Sequence, residues 1–165
     1  MINFLCEFEY ANPIALLLLS GSIDKKILEG LKGLNHIEML LNKDFGIRNN
    51  ILNWNELFAQ VVENTYILLS TLLNEDQLNS EIETLLKYKE FFDVWNKVLK
   101  KKKHKLALSN IRLILNYPTV DNISLSIWGF PLLEDNIFSI EQIIPNTEED
   151  FHKLQQIIVN SDMSI

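Results

Sequence analysis

Asn122-Ile123-Ser124-Leu125-Ser126-Ile127-Trp128-Gly129-Phe130-Pro131 is the stretch on which the fold class turns. Ile123, Leu125 and Ile127 alternate with Ser124, Ser126 and Trp128. That two-residue period puts the apolar side chains on one face of a strand, and Gly129-Phe130-Pro131 ends it. Residues 2–9 alternate in the same way, with Ile2, Phe4, Cys6 and Phe8 set against Asn3, Leu5, Glu7 and Glu9. Between these two segments the period is helical.

Asn12-Pro13 resembles an N-cap followed by proline at the first helical position, with Gly21 as a stop, although a buried strand through Ile14–Leu19 competes. Ile27, Leu28, Leu31 and Leu34 recur at helical spacing behind Ser22 or Asp24 as cap, and Ile37, Leu40 and Leu41 continue the stripe. Residues 42–50 read as a polar loop. Asn53 followed by Glu56 predicts a capping box, opening a helix that buries Leu57, Val61, Leu68, Leu69 and Leu72. Asn74 closes that helix and helps start the next. Leu78, Ile82, Leu85 and Leu86 begin a new stripe, which Phe92, Trp95 and Leu99 carry on. This is one long helix, or two that break near Lys87–Glu90. A further helix is expected over His104–Asn116 from Ala107, Ile111, Ile114 and Leu115, stopped by Tyr117-Pro118.

Downstream of the strand, residues 136–144 are ambiguous. Ile137–Ile140 suits a short strand, and Ser139 with Gln142 suits a one-turn helix. Thr147 and Asp150 fit a capping box for a last helix, with Phe151, Leu154, Ile157 and Ile158 as its buried face. Glu148, Glu149 and Asp150 in the first turn complement the helix dipole. No repeat and no Gly/Ser/Pro-rich linker divides the chain. The expected architecture is α+β: a mostly helical single domain over residues 1–165. Its small sheet is built from the N-terminal strand and the 122–130 region.

Composition supports a packed core. Of 165 residues, 47% are hydrophobic, and the mean hydropathy is +0.05. Such a chain buries enough apolar surface to exclude disorder as its main state. Only 5 Gly and 4 Pro exclude a collagen-like or low-complexity chain. A single cysteine, Cys6, excludes an intramolecular disulfide, and it reads as a small buried apolar residue. The first basic residue is Lys25, so no secretory signal is expected, and the apolar run Pro13–Leu19 is far below the roughly 20 residues of a spanning helix. A cytoplasmic protein without membrane association is expected. Ile, Asn and Lys are abundant while Ala and Arg are scarce, which points to an A/T-rich gene.

The net charge of −7 is unevenly distributed. Residues 1–96 hold 14 acidic and 7 basic side chains, residues 97–112 hold 7 basic and none acidic, and residues 113–165 hold 8 acidic and 1 basic. The basic block includes Lys97, Lys100, Lys101, Lys102, Lys103, His104 and Lys105, with Arg112 beyond it. Clustered lysines neutralise phosphates, which makes Lys100, Lys101, Lys102, Lys103 and Lys105 candidates for a nucleic-acid contact. They also suit a solvated connector at a helix C-terminus. No arginine or stacking aromatic lies inside the block. The second candidate surface is acidic: Glu134, Asp135, Glu141, Glu148, Glu149 and Asp150, with no basic residue before Lys153. An acidic face steers a basic partner.

Motifs for chemistry are missing. His36, His104 and His152 occur in no HExxH, HxH or CxxC-type setting, and Glu149-x-x-His152 has the spacing of a carboxylate–histidine metal pair, whereas a carboxylate-bridged dimetal site needs two such pairs and further Glu residues. Nucleophile elbows, P-loops and dinucleotide loops are absent. Neither a cofactor nor a metal is expected, and the chain reads as non-catalytic.

In size, acidity, lack of catalytic motifs and A/T-rich composition, the whole chain resembles the immunity proteins of bacterial polymorphic toxins, including those of contact-dependent growth inhibition systems. The resemblance implies specific occlusion of a cognate toxin domain, often a basic nuclease. It transfers no site residue. The alternatives are a nucleic-acid or phosphate-binding module using Lys97–Lys105, and an enzyme or adaptor of another family.

Overall fold

A computed structural model describes residues 36–43, 46–104, 109–117, 119–131 and 139–160. The helical half comprises α1 (His36–Leu41), α2 (Ile47–Asn50), α3 (Trp54–Leu72), α4 (Glu75–Ile82), a 3-10 turn (Leu85–Lys87) and α5 (Lys89–Leu99). There follow β1 (Ser109–Tyr117), β2 (Asp121–Pro131), β3 (Ser139–Pro145) and α6 (Glu148–Asn160). The chain is α+β and mostly helical, and the described residues form a small antiparallel sheet of order β1-β2-β3. The 122–130 strand is the middle strand of this sheet. The expected strand at 2–9 and the helical segments before residue 36 lie outside the described residues.

The helix expected over His104–Asn116 is a correction: residues 109–117 form β1. The run Ile111-Arg112-Leu113-Ile114-Leu115 satisfies both periods, because Ile114 supplies the helical match while Ile111, Leu113 and Leu115 alternate. The partner strand decides. Leu113 pairs with Leu125, Leu115 with Ile123, and Ile111 with Ile127, so both strands place their apolar residues on one face. Leu113, Leu115, Ile123 and Leu125 are all buried. Such cross-strand pairs are the stabilising unit of a sheet, and a one-residue slip would expose all four. On the other side of β2, Ile127 pairs with Ile143 and Leu125 with Pro145. The ambiguous segment after residue 136 thus resolves as a strand from Ser139 onward.

Tyr117 pairs with Asp121 across the β1–β2 turn, and the Val120 N–H donates to the Tyr117 carbonyl at 3.3 Å. Asp121 adopts φ 60°, in the left-handed region. Aspartate visits that region more readily than most residues because its short polar side chain bonds locally.

The free edge of β1 is covered by the segment that leads into α3. Ile51 forms a bridge with Leu115, and the Leu52 N–H donates to the Ile114 carbonyl at 2.8 Å. Asn53 then spends its whole amide on the strand. Its Nδ2 donates to the Arg112 carbonyl at 2.8 Å, and its Oδ1 accepts the Ile114 N–H at 2.9 Å. The capping box expected from Asn53 and Glu56 is therefore not formed: Asn53 occupies the cap position with no side-chain cap bond. A strand edge left bare is open to pairing with another chain. Asn53→Ala removes both bonds and is expected to cost about 1–2 kcal/mol. Urea unfolding measures it, and a loss of less than about 0.5 kcal/mol would contradict this role for the amide.

Behind the sheet, α3 packs on β1 and on α5. The buried face of α3 is Trp54, Leu57, Phe58, Val62, Thr65 and Leu69. Leu68 and Leu72, expected inside, are 48% and 44% exposed. The same rotation occurs in α5, where Phe91, Trp95 and Val98 are buried while Phe92 and Leu99 face solvent. Of the two readings of this stripe, one long helix or two, the structure has two, and the interruption starts earlier than Lys87, since α4 ends at Ile82 and the 3-10 turn intervenes before α5. Asn74 caps α4 in a full capping box with Gln77. Rings knit the layer together: Trp54 stacks on Phe58 at 5.0 Å and Phe91 on Trp95 at 5.4 Å, and Tyr66 meets Trp95 edge-on at 5.5 Å. One core cluster runs from α1 through these helices and the sheet to Ile157 of α6.

Candidate functional site

The acidic surface centres on α6, so its seating on the sheet comes first. Ser124 of β2 pairs with Ile114 of β1, but on its other side β3 has given way to Asn146. Asn146 donates its N–H to the Ser124 carbonyl at 3.1 Å, and Asp150 Oδ1 accepts the Ser124 N–H at 2.8 Å. Asp150 Oδ2 accepts from the Thr147 hydroxyl at 2.7 Å, and Thr147 Oγ1 accepts the Asp150 N–H at 3.1 Å. The capping box expected from Thr147 and Asp150 is formed only in its first half, since the Asp150 carboxylate turns to the Thr147 hydroxyl and the Ser124 N–H and so clamps the helix to the sheet. The Asn146 side chain bridges the hydroxyls of Ser124 and Ser126, and Lys153 Nζ donates to the Asn122 carbonyl at 3.0 Å.

This seating divides the acidic candidates. Asp150 is 7% exposed and faces inward, so its carboxylate is committed to the fold rather than to a partner. Glu148 and Glu149 are exposed in the first turn of α6. Lys153 pairs with Glu149 at 2.7 Å, and that bond, against a smaller opposing effect of desolvation, holds the lysine above its ordinary pKa. Glu141 sits in β3 opposite Gly129. Glu134 and Asp135 lie outside the described residues.

The outward side of α6 also carries apolar side chains. Phe151 is 48%, Ile158 37% and Val159 80% exposed. Of the four apolar residues expected in the buried face, Phe151, Leu154, Ile157 and Ile158, Ile157 alone is fully buried and Leu154 partly so. The reason is the clamp. With Asp150 turned to β2, the helix presents positions 150, 154 and 157 inward, which leaves 151 and 158 outside. Sequence periodicity missed this because 151–154–158 and 150–154–157 are equally helical.

The basic block divides similarly. Lys100 follows the last residue of α5, where a cation suits the negative end of the helix dipole. Lys101 Nζ donates to Glu63 Oε2 at 2.6 Å and ties the connector to α3. Burial pushes the Glu63 carboxyl up, but the bond and charge of Lys101, together with those of His104, more than offset this and hold it below its ordinary value. His104 lies against the Tyr66 ring at 4.7 Å, with Nδ1 3.4 Å from Glu63 Oε1. Lys100, Lys102 and Lys103 are exposed. Lys105 lies outside the described residues.

Among the described residues no group of three His, Cys, Asp or Glu side chains stands together as a metal site. His152 Nδ1 faces Gln155 Oε1 at 3.4 Å instead. No helix among the described residues is long and apolar enough to cross a membrane. No protein-family model, no curated protein and no solved structure matches the chain.

Proposed function

We propose that this chain is a non-catalytic binding protein of the immunity type, which neutralises a cognate bacterial toxin domain by covering it. One observation carries the reading. On the outer side of α6, the exposed Phe151, Ile158 and Val159 lie beyond the acidic turn Glu148–Glu149. Apolar anchors inside a charged rim are the anatomy of a specific interface, in which the anchors supply affinity and the charges supply steering and selection. The acidic sign fits a basic toxin domain such as a nuclease. Action on a toxin inside the producing cell places the protein in the cytoplasm.

The test is co-expression with the product of the neighbouring upstream reading frame. The wild-type chain is expected to protect the host cell and to co-purify with that product. Phe151→Ala with Ile158→Ala is expected to weaken the complex by about tenfold or more without loss of fold. Glu148→Lys with Glu149→Lys is expected to slow association and flatten its salt dependence. Absence of both complex and protection overturns the reading.

A second reading, a nucleic-acid or phosphate-binding module, is favoured by the exposure of Lys100, Lys102 and Lys103. Lack of nucleic-acid binding at low salt removes it.

A further inference from the structure

A cleft of about 880 Å³ lies between the α1–α2 connection and the start of α5, on residues that the acidic surface does not use. Its volume falls within the range of roughly 300–1,000 Å³ typical of small-molecule sites. Five cationic side chains line it: Lys43, Arg48, Lys87, Lys89 and Lys97. Two acidic side chains do so as well, Glu90 and Asp93.

Both acids are already occupied. Glu90 Oε2 accepts from Arg48 Nη1 and Glu90 Oε1 accepts from Trp54 Nε1, each at 2.5 Å. The Arg48 guanidinium also sits 5.1 Å from the centre of the Trp54 ring, so the knot fixes one wall of the cleft. Asp93 takes Lys89 at 2.5 Å. That leaves Lys43, Lys87 and Lys97, which have no acidic partner among the described residues. Three lysines without an acidic partner among the described residues line one concavity in a chain of net charge −7. Like charges gathered this way repel one another, and a multivalent anion relieves that repulsion. The first turn of α5 borders the same cleft, and no side chain caps it. Tyr88, 37% exposed at the lip, offers a flat apolar surface beside the cations.

We propose that this cleft binds a polyphosphate anion, with Lys43, Lys87 and Lys97 neutralising the phosphates. The site is independent of the toxin-neutralising reading, and either stands if the other fails. The source of the phosphates is inorganic polyphosphate or a nucleoside triphosphate whose base stacks on Tyr88.

The experiment is calorimetric titration of the full chain with tripolyphosphate and, separately, with ATP at low salt. Saturable binding at one site is expected. The variant K43Q/K87Q/K97Q is expected to bind about tenfold more weakly or worse, with a flatter salt dependence. K100Q/K102Q/K103Q removes the same charge from side chains that do not line the cleft, and is expected to change affinity by less than about threefold at low salt, since these charges do not contact the bound anion and act on it through the screened field. All six lysines are exposed, and circular dichroism checks that both variants keep the fold. Tighter binding of ATP, lost in Tyr88→Ala, assigns a nucleotide, whereas equal binding of the two probes assigns the inorganic anion. Absence of saturable binding by both probes overturns the proposal. So does an equal loss in the two triple variants, which would reduce the effect to bulk charge.

Discussion

Trp95→Ala is expected to destabilise the protein by about 3–5 kcal/mol, read from the shift in the urea midpoint at constant slope. Trp95 is 4% exposed and stands where α3 meets α5. Its ring stacks on Phe91 and receives the edge of Tyr66, which in turn holds His104 and the start of the lysine connector. Truncation removes the transfer free energy of a large ring and leaves a cavity between two helices that cannot collapse onto each other without moving the sheet. Against a total stability of about 5–15 kcal/mol for a typical domain, that is a large fraction. Leu99→Ala on the same helix is the control. Leu99 is 50% exposed, so its loss is expected to stay within about 0.5 kcal/mol or little more. Equal effects of the two substitutions would mean that the helix buries Phe92, Trp95 and Leu99 rather than Phe91, Trp95 and Val98.

That comparison marks the limit of what periodicity reveals. A helical stripe in the sequence identifies the element but fixes its rotation only to within a residue when apolar side chains sit side by side, as Phe91 with Phe92 and Val98 with Leu99 do. The strand at 122–130 was legible because serines separate its apolar residues and leave no second period. The strand at 109–117 was not, because Ile114 breaks the alternation and mimics a helix; only the pairing of Leu113 with Leu125 and Leu115 with Ile123 settles it. Asn53 shows the same limit for polar groups. Asn-x-x-Glu is a sound cap pattern, yet the residue sits beside a strand edge whose two unpaired backbone groups compete for its amide, and the strand wins. The lysine cleft was invisible for a different reason. Lys43, Lys87 and Lys97 come from three separate segments, and a charge tally along the chain records only local blocks.

Asp150→Ala is expected to cost about 2–4 kcal/mol, and to separate stability from binding at the acidic face. The substitution deletes two hydrogen bonds to a carboxylate, from the Ser124 N–H and the Thr147 hydroxyl. Bonds to charged groups contribute about 1.5–3 kcal/mol each, and two on one side chain add less than their sum. The Ser124 N–H, at the point where β3 has ended, would be left without an acceptor, and α6 would lose its fixed rotation on the sheet. Asp150→Asn keeps one acceptor oxygen and is expected to fall between wild type and alanine. Glu148→Ala and Glu149→Ala stand two residues and one residue away but in solvent, so each is expected to change stability by at most about 1 kcal/mol through the helix dipole. For the proposed partner the order reverses: Glu148 and Glu149 face the toxin domain, while Asp150 acts only by holding Phe151 and Ile158 in place. Urea unfolding and cell protection measured on Asp150→Ala, Glu148→Ala and Glu149→Ala therefore give two different rankings. If Asp150→Ala kept full stability and still abolished protection, the carboxylate would be a contact residue, and the inward clamp described for α6 would be wrong.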